Sequence, residues 1–155
     1  GENIVLRKIN ILQKKPDEYF FYYTHNSYRL NIGKISVALV AKANQINDEI
    51  KTFGKNLCMH IAASKPLAFD VNDLEKSIVE REKEIQLETI KSSGKPKEIL
   101  EKILEGKMKK FYSEVTFLNQ NFILDNDKSI KKVLEENSNK NNFKIIDYSY
   151  FVLGN

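Results

Sequence analysis

Ser92 to Phe111 reads SSGKPKEILEKILEGKMKKF, and this stretch sets the architecture, because it ends one helix, turns, and starts a second almost at once. Before it, Leu74, Ile78, Val79, Ile85 and Ile90 recur at spacings that keep one apolar stripe on a helix from about Asp73 to Ser92. Asn72, with Glu75 three residues later, is placed to cap the start of that helix. Gly94 suits the left-handed conformation that closes a helix, and Pro96 suits the first turn of the next, where its missing N–H would have had no partner. Beyond it, Ile99, Leu100, Ile103, Leu104, Met108, Phe111 and Val115 form the facing stripe. So short a turn predicts two antiparallel helices packed as a hairpin.

The same residues carry a family resemblance. Ser93-Gly94-Lys95-Pro96, then Glu105-Gly106-Lys107-Met108-Lys109-Lys110-Phe111, then Glu114-Val115 resembles the C-terminal core of elongation factor Ts, the nucleotide exchange factor for elongation factor Tu. Met59-His60-Ile61-Ala62-Ala63-Ser64-Lys65-Pro66 resembles that family's helix before its coiled-coil arm. Gly1-Glu2-Asn3-Ile4, Ile32-Gly33-Lys34-Ile35 and Asn121-Phe122 extend the match in the family's order nearly from end to end.

Outward from the hairpin, Ile4 to Leu12 alternates loosely and predicts a strand, and the aromatic-rich Glu18 to His25 predicts a second. Asn26 to Asn31 is turn-like, and Ile32 to Ala43 alternates as a third strand, so the last two segments make a hairpin. The period becomes helical from about Asn47 to Ser64, where Pro66 stops it. A short extended piece at Thr116 to Leu124, a helix from about Asp127 to Glu136, a polar loop at Asn137 to Asn142 and a strand over Phe143 to Leu153 complete the chain. Strands at both ends enclosing helices predict an α+β fold: a three-stranded antiparallel sheet covered by helices, with the helical hairpin projecting as a coiled-coil arm. The expected organisation is a single C-terminal core domain over 1–155, with 73–115 as an inserted arm. It opens on a strand-like segment, which suggests a domain of a longer protein.

Composition narrows the function. The 25 basic and 21 acidic residues leave a net charge of +4, mild enough to be a solvated surface rather than a polyanion site. The densest basic stretch, Lys95 to Lys110, is interleaved with Glu98, Glu101 and Glu105, and Arg occurs only at positions 7, 29 and 81. Readers of bases and phosphates lean on Arg forks, so no specific nucleic-acid site is read here. One cysteine, Cys58, excludes an intramolecular disulfide and sits in an apolar helical run as a small buried hydrophobe. No apolar run is long enough to cross a bilayer, and no membrane partner is expected.

No catalytic or metal constellation emerges, and no cofactor is expected. Asp125, Asp127, Ser129 and Glu136 fall at calcium-loop positions, but Ile130 stands where that loop needs Gly, so Asp127 reads as a helix cap. Glu80 and Glu84 are surface charges flanking Arg81 and Lys83. His60 reads as a core or edge histidine, whereas His25 stands at the lip of the aromatic hairpin, where packing explains it less easily.

The resemblance supplies the rest of the expectation. In that family a Tyr-x-His at this hairpin touches the partner, and Tyr23-Thr24-His25 matches it, although the turn to Ile32-Gly33 is longer than the family's. The implied partner is elongation factor Tu, GDP-bound and nucleotide-free, with self-pairing into a homodimer left open. Candidate partner-binding residues are Phe21, Tyr23 and His25 on the hairpin and Lys107, Lys109 and Lys110 on the arm. The family's N-terminal helical module and its Thr-Asp-Phe-Val motif have no counterpart in these residues. The expected role is therefore the docking half and arm of an exchange factor without covalent chemistry; the rival reading is a non-exchanging protein- or RNA-binding module that uses the Lys-rich hairpin. An Asn- and Lys-rich bias points to an AT-rich coding source, and so to an organelle with bacterial-type translation (mitochondrion, plastid or apicoplast), with a bacterial cytoplasm as the alternative.

Overall fold

The computed structural model of the protein describes residues 1, 3–91 and 96–154. The chain divides into two compact units, one built from 1–63 and 134–155 and the other from 64–133.

The first unit is an antiparallel sheet with a helix on it. Strand β1 (Glu18–Arg29), β2 (Ile32–Lys42) and β5 (Lys144–Val152) form a three-stranded sheet in the order β1-β2-β5. Both pairings are antiparallel, with Phe21 opposite Leu39 and Leu39 opposite Tyr148. This is the α+β class and the three-stranded sheet that the alternation predicts.

Helix α1 (Asp48–Ser64) starts where the Asn47 side chain accepts the Ile50 N–H at 2.9 Å. It ends at Lys65, whose φ of 48° is left-handed, just before Pro66. Its apolar stripe of Ile50, Phe53, Leu57 and Ile61 is buried with Phe21, Val37 and Leu39 of the sheet. Phe143 joins them, its ring 4.9 Å from that of Phe53 and 5.9 Å from that of Phe21.

The second unit contains α2 (Lys76–Lys91) and α3 (Lys97–Val115), which pack side by side. Lys107 donates to Gln86 at 2.9 Å, and Ile90 and Met108 are buried. The expected stripes are only partly covered, since Ile85 and Ile99 are each nearly half exposed. The closing turn expected at Gly94 lies outside the described residues. Residues 67–69 run alongside the end of α3, with Phe117 N–H bonded to Ala68 O at 2.9 Å and Leu67 N–H to Val115 O at 2.8 Å. Gln120 is buried and donates to Ser64 O at 3.2 Å and Glu114 O at 2.7 Å. A two-stranded ribbon, β3 (Asn121–Phe122) with β4 (Asp125–Ser129), leads into α4 (Ile130–Asn141).

Several local expectations change. Residues 3–15 form no strand; they are held to the sheet by side chains, Asn10 donating to Ser149 and Lys8 lying 5.4 Å from the centre of the Phe151 ring. The cap before α2 is not Asn72 with Glu75. Asp70 accepts from Val71 N–H at 2.7 Å, and Asp73 answers by accepting from Asp70 N–H at 3.0 Å, because a 3-10 turn (Val71–Asp73) comes first. Asp127 lies within β4 rather than at a helix start, and at the beginning of α4 it is Ser129 that accepts from Lys132 N–H. The Asn-rich stretch read as a loop is the second half of α4. Its end is fixed by tertiary bonds that local propensity does not see: Asn44 N–H to Asn141 O at 3.0 Å, and Lys140 to Glu49 at 2.6 Å.

Candidate partner-docking site

The hairpin is longer and tighter than its sequence suggests. Instead of a turn over Asn26 to Asn31, pairing runs out to Arg29 opposite Ile32, leaving Leu30 and Asn31 as the loop. Asn31 supplies a φ of 62°, and the extra length is absorbed where the register shifts between Ser27 and Arg29, just after Asn26, whose φ is 49°. Gly33 faces this irregularity. A Cβ there would lie 2.6 Å from Thr24 Cγ2 and 2.7 Å from His25 O, so the strands approach more closely than any side chain allows.

Tyr23 and His25 lie two apart on one face of β1, and the Tyr23 hydroxyl stands 3.0 Å from His25 Nδ1. With a neutral imidazole the phenol donates to Nδ1 and leaves Nε2–H free; with the imidazolium, Nδ1–H donates to the phenol oxygen. In either state one bond orients the ring. His25 is exposed and Tyr23 half-buried. The pair therefore offers an oriented polar group on a partly apolar base, which suits recognition of a hydrogen-bonding surface.

Phe21 is a correction. It is only 5% exposed and packs under α1, with its ring against Gly54, so it belongs to the core and not to a docking surface. The outward rings of this strand are Phe20 and Tyr22, at 47% and 59% exposed. Five aromatics in succession conceal which parity faces the core. The small residue across the helix, Gly54, is the signal that could have assigned it.

The three candidate lysines of α3 do not form one patch. With about 100° per helical residue, Lys107 and Lys110 stand about 60° apart and Lys109 about 160° from Lys107. Lys107 is turned to Gln86, Lys110 lies 3.9 Å from Glu114, and Lys109 is exposed.

Of the remaining candidates, His60 is fully buried in α1, as is Cys58, whose thiol burial pushes up to about 12. That thiol is inert packing rather than a nucleophile. Among the described residues no group of His, Cys, Asp and Glu could hold a metal ion, and no helix is long and apolar enough to cross a membrane.

The family described as Elongation factor TS matches the chain over residues 1–155. Elongation factor Ts of Gluconobacter oxydans is 36% identical over 154 residues, covering 99% of this chain and 49% of the relative. That of Ehrlichia ruminantium is 32% identical over 155 residues, covering 99% and 54%, and that of Rickettsia bellii is 36% identical over 137 residues, covering 87% and 44%. The chain thus spans about half the length of the curated relatives it matches. With the match running through the hairpin, the α1 segment and the paired helices alike, the chain belongs to the elongation factor Ts family of translation elongation factors.

Proposed function

We propose that this chain binds elongation factor Tu through the β1–β2 hairpin and takes part in releasing GDP from it. The observation that carries this reading is family membership over residues 1–155, and the oriented Tyr23–His25 pair supports the choice of surface. Exchange of this kind makes and breaks no covalent bond. A protein that holds the nucleotide-free partner more tightly than the GDP-bound one must, by reciprocity, loosen GDP by the same factor.

We read 1–155 as one C-terminal core and 73–115 as its coiled-coil arm. The Thr-Asp-Phe-Val motif has no counterpart in these residues, so the chain docks and exchanges poorly by itself. The compartment we favour is an organelle with bacterial-type translation; the relatives compared are bacterial. Calorimetry against elongation factor Tu, first nucleotide-free and then saturated with GDP, tests the function. Tighter binding to the empty form supports it, equal affinities reduce the chain to a docking module, and no binding in either state returns it to the reading of a separate protein- or RNA-binding module.

A further inference from the structure

A second feature of the first unit lies on the other margin of the same strand. β1 is an edge strand: among the described residues its one neighbour in the sheet is β2. Along its outer margin runs an open cavity of about 490 Å³, lined by Tyr19, Phe20, Phe21 and Tyr22 in succession. Successive strand residues point to opposite faces, so four in a row can line one cavity only if it runs along the strand's edge. Every second residue of such an edge turns its N–H and C=O outward.

The walls of this groove are basic. Lys51 and Lys55, one helical turn apart, line it from α1, and Lys14 lines it from the segment preceding β1, with Ile46 adding apolar surface. Among the described residues no acidic side chain lines it. The nearest carboxylates along the chain are engaged elsewhere: Asp17 holds Lys42 at 2.5 Å, and Glu18 accepts the Lys15 N–H at 2.8 Å. Lys51 also reaches Asp48 at 3.1 Å, but both are largely exposed and such a pair yields readily to a better one.

We propose that the outer edge of β1 from Tyr19 to Tyr22 accepts an extended acidic peptide as a fourth strand, with Lys14, Lys51 and Lys55 pairing with its carboxylates. Main-chain bonds to the edge supply the affinity, and the alternation of side chains supplies the selectivity. Acidic residues of the parity that faces α1 meet Lys51 and Lys55, and Lys14 adds to the positive charge of the groove. The site is separate from the Tyr23–His25 lip, so it stands or falls independently of the elongation factor Tu reading. The competing role for these lysines is to guard a bare edge against pairing.

A fluorescein-labelled eight-residue peptide alternating Val and Glu separates the two. The expected result is saturable binding to the 155-residue chain, with amide shifts in a two-dimensional NMR spectrum centred on Tyr19 to Tyr22. Binding should weaken about tenfold in the K51E/K55E double variant, whose lysines are surface residues, and fall with added salt. The same peptide with alternate backbone nitrogens methylated should not bind, since it keeps the charge but loses the strand donors. No saturable binding, or equal binding by the methylated peptide, overturns the proposal and leaves the lysines as edge guards.

Discussion

Gly54 of α1 lies so close to Phe21 of β1 that a Cβ on it would come within 2.1 Å of the ring's Cδ1. The helix meets the sheet here through a missing side chain, and Phe21 fills the space. The substitution Gly54→Ala should therefore overpack the first unit and cost about 1–3 kcal/mol despite the gain in helix propensity. Phe21→Ala should cost more, about 3–5 kcal/mol, by opening a cavity beside Phe143. Urea unfolding monitored by circular dichroism measures both. A stabilised G54A would mean that the ring is not held there.

At the lip of the hairpin, Tyr23→Phe removes the hydroxyl that orients His25 while leaving the packing of the ring. If the hairpin is the docking surface, Y23F and H25A should each raise the Kd for elongation factor Tu about fivefold, equivalent to about 1 kcal/mol for one hydrogen bond, with urea stability unchanged. Calorimetry on the two variants decides it, and unaltered affinity in both would move the docking surface away from this hairpin.

Gly33→Ala should act on the same hairpin by another route. The new methyl would stand 2.7 Å from His25 O, so the strands must part at His25. The expected signature is loss of amide protection from Thr24 to Ile35 in hydrogen exchange with a smaller change at Leu39, because the register shift between Ser27 and Arg29 lies near the hairpin end.

The Cys58 thiol gives a pH dependence. Burial raises it from 9.0 to about 12 in the folded chain. Between those values the folded state keeps a proton that the unfolded state releases, so Cys58 lowers stability as pH rises above 9. Cys58→Ala should flatten that decline in urea midpoints taken from pH 8 to pH 10. Iodoacetamide at pH 8 should label the native thiol far more slowly than the urea-unfolded one; comparable rates would show that the site opens readily.

In the second unit, Gln120→Ala should cost about 1–3 kcal/mol, since its side-chain amide donates to two carbonyls, Ser64 O and Glu114 O, from a buried position. Gln120→Glu should cost at least as much, because an ionised carboxylate has no N–H to give either carbonyl. Thermal unfolding of both variants measures this.

Short-range pattern and punctuation are legible in the chain alone. The helical periods around Leu57 and Met108, the stop at Pro66, and the alternation through Val37 and Leu39 each specify an element through the geometry of neighbouring residues, and the ordered motifs specify the family. Features that depend on distant partners emerge only when the chain is folded. Which parity of the Tyr19 to Tyr23 run faces inward depends on Gly54 of α1, because all five residues are equally fit for either face. The segment from Ile4 to Leu12 has strand composition but pairs with no strand, so it is tied by Asn10 and Lys8. The Asn-rich end of α4 is helical because Asn44 and Glu49 hold it there. Local propensity differs between these alternatives by less than the contacts that chose among them.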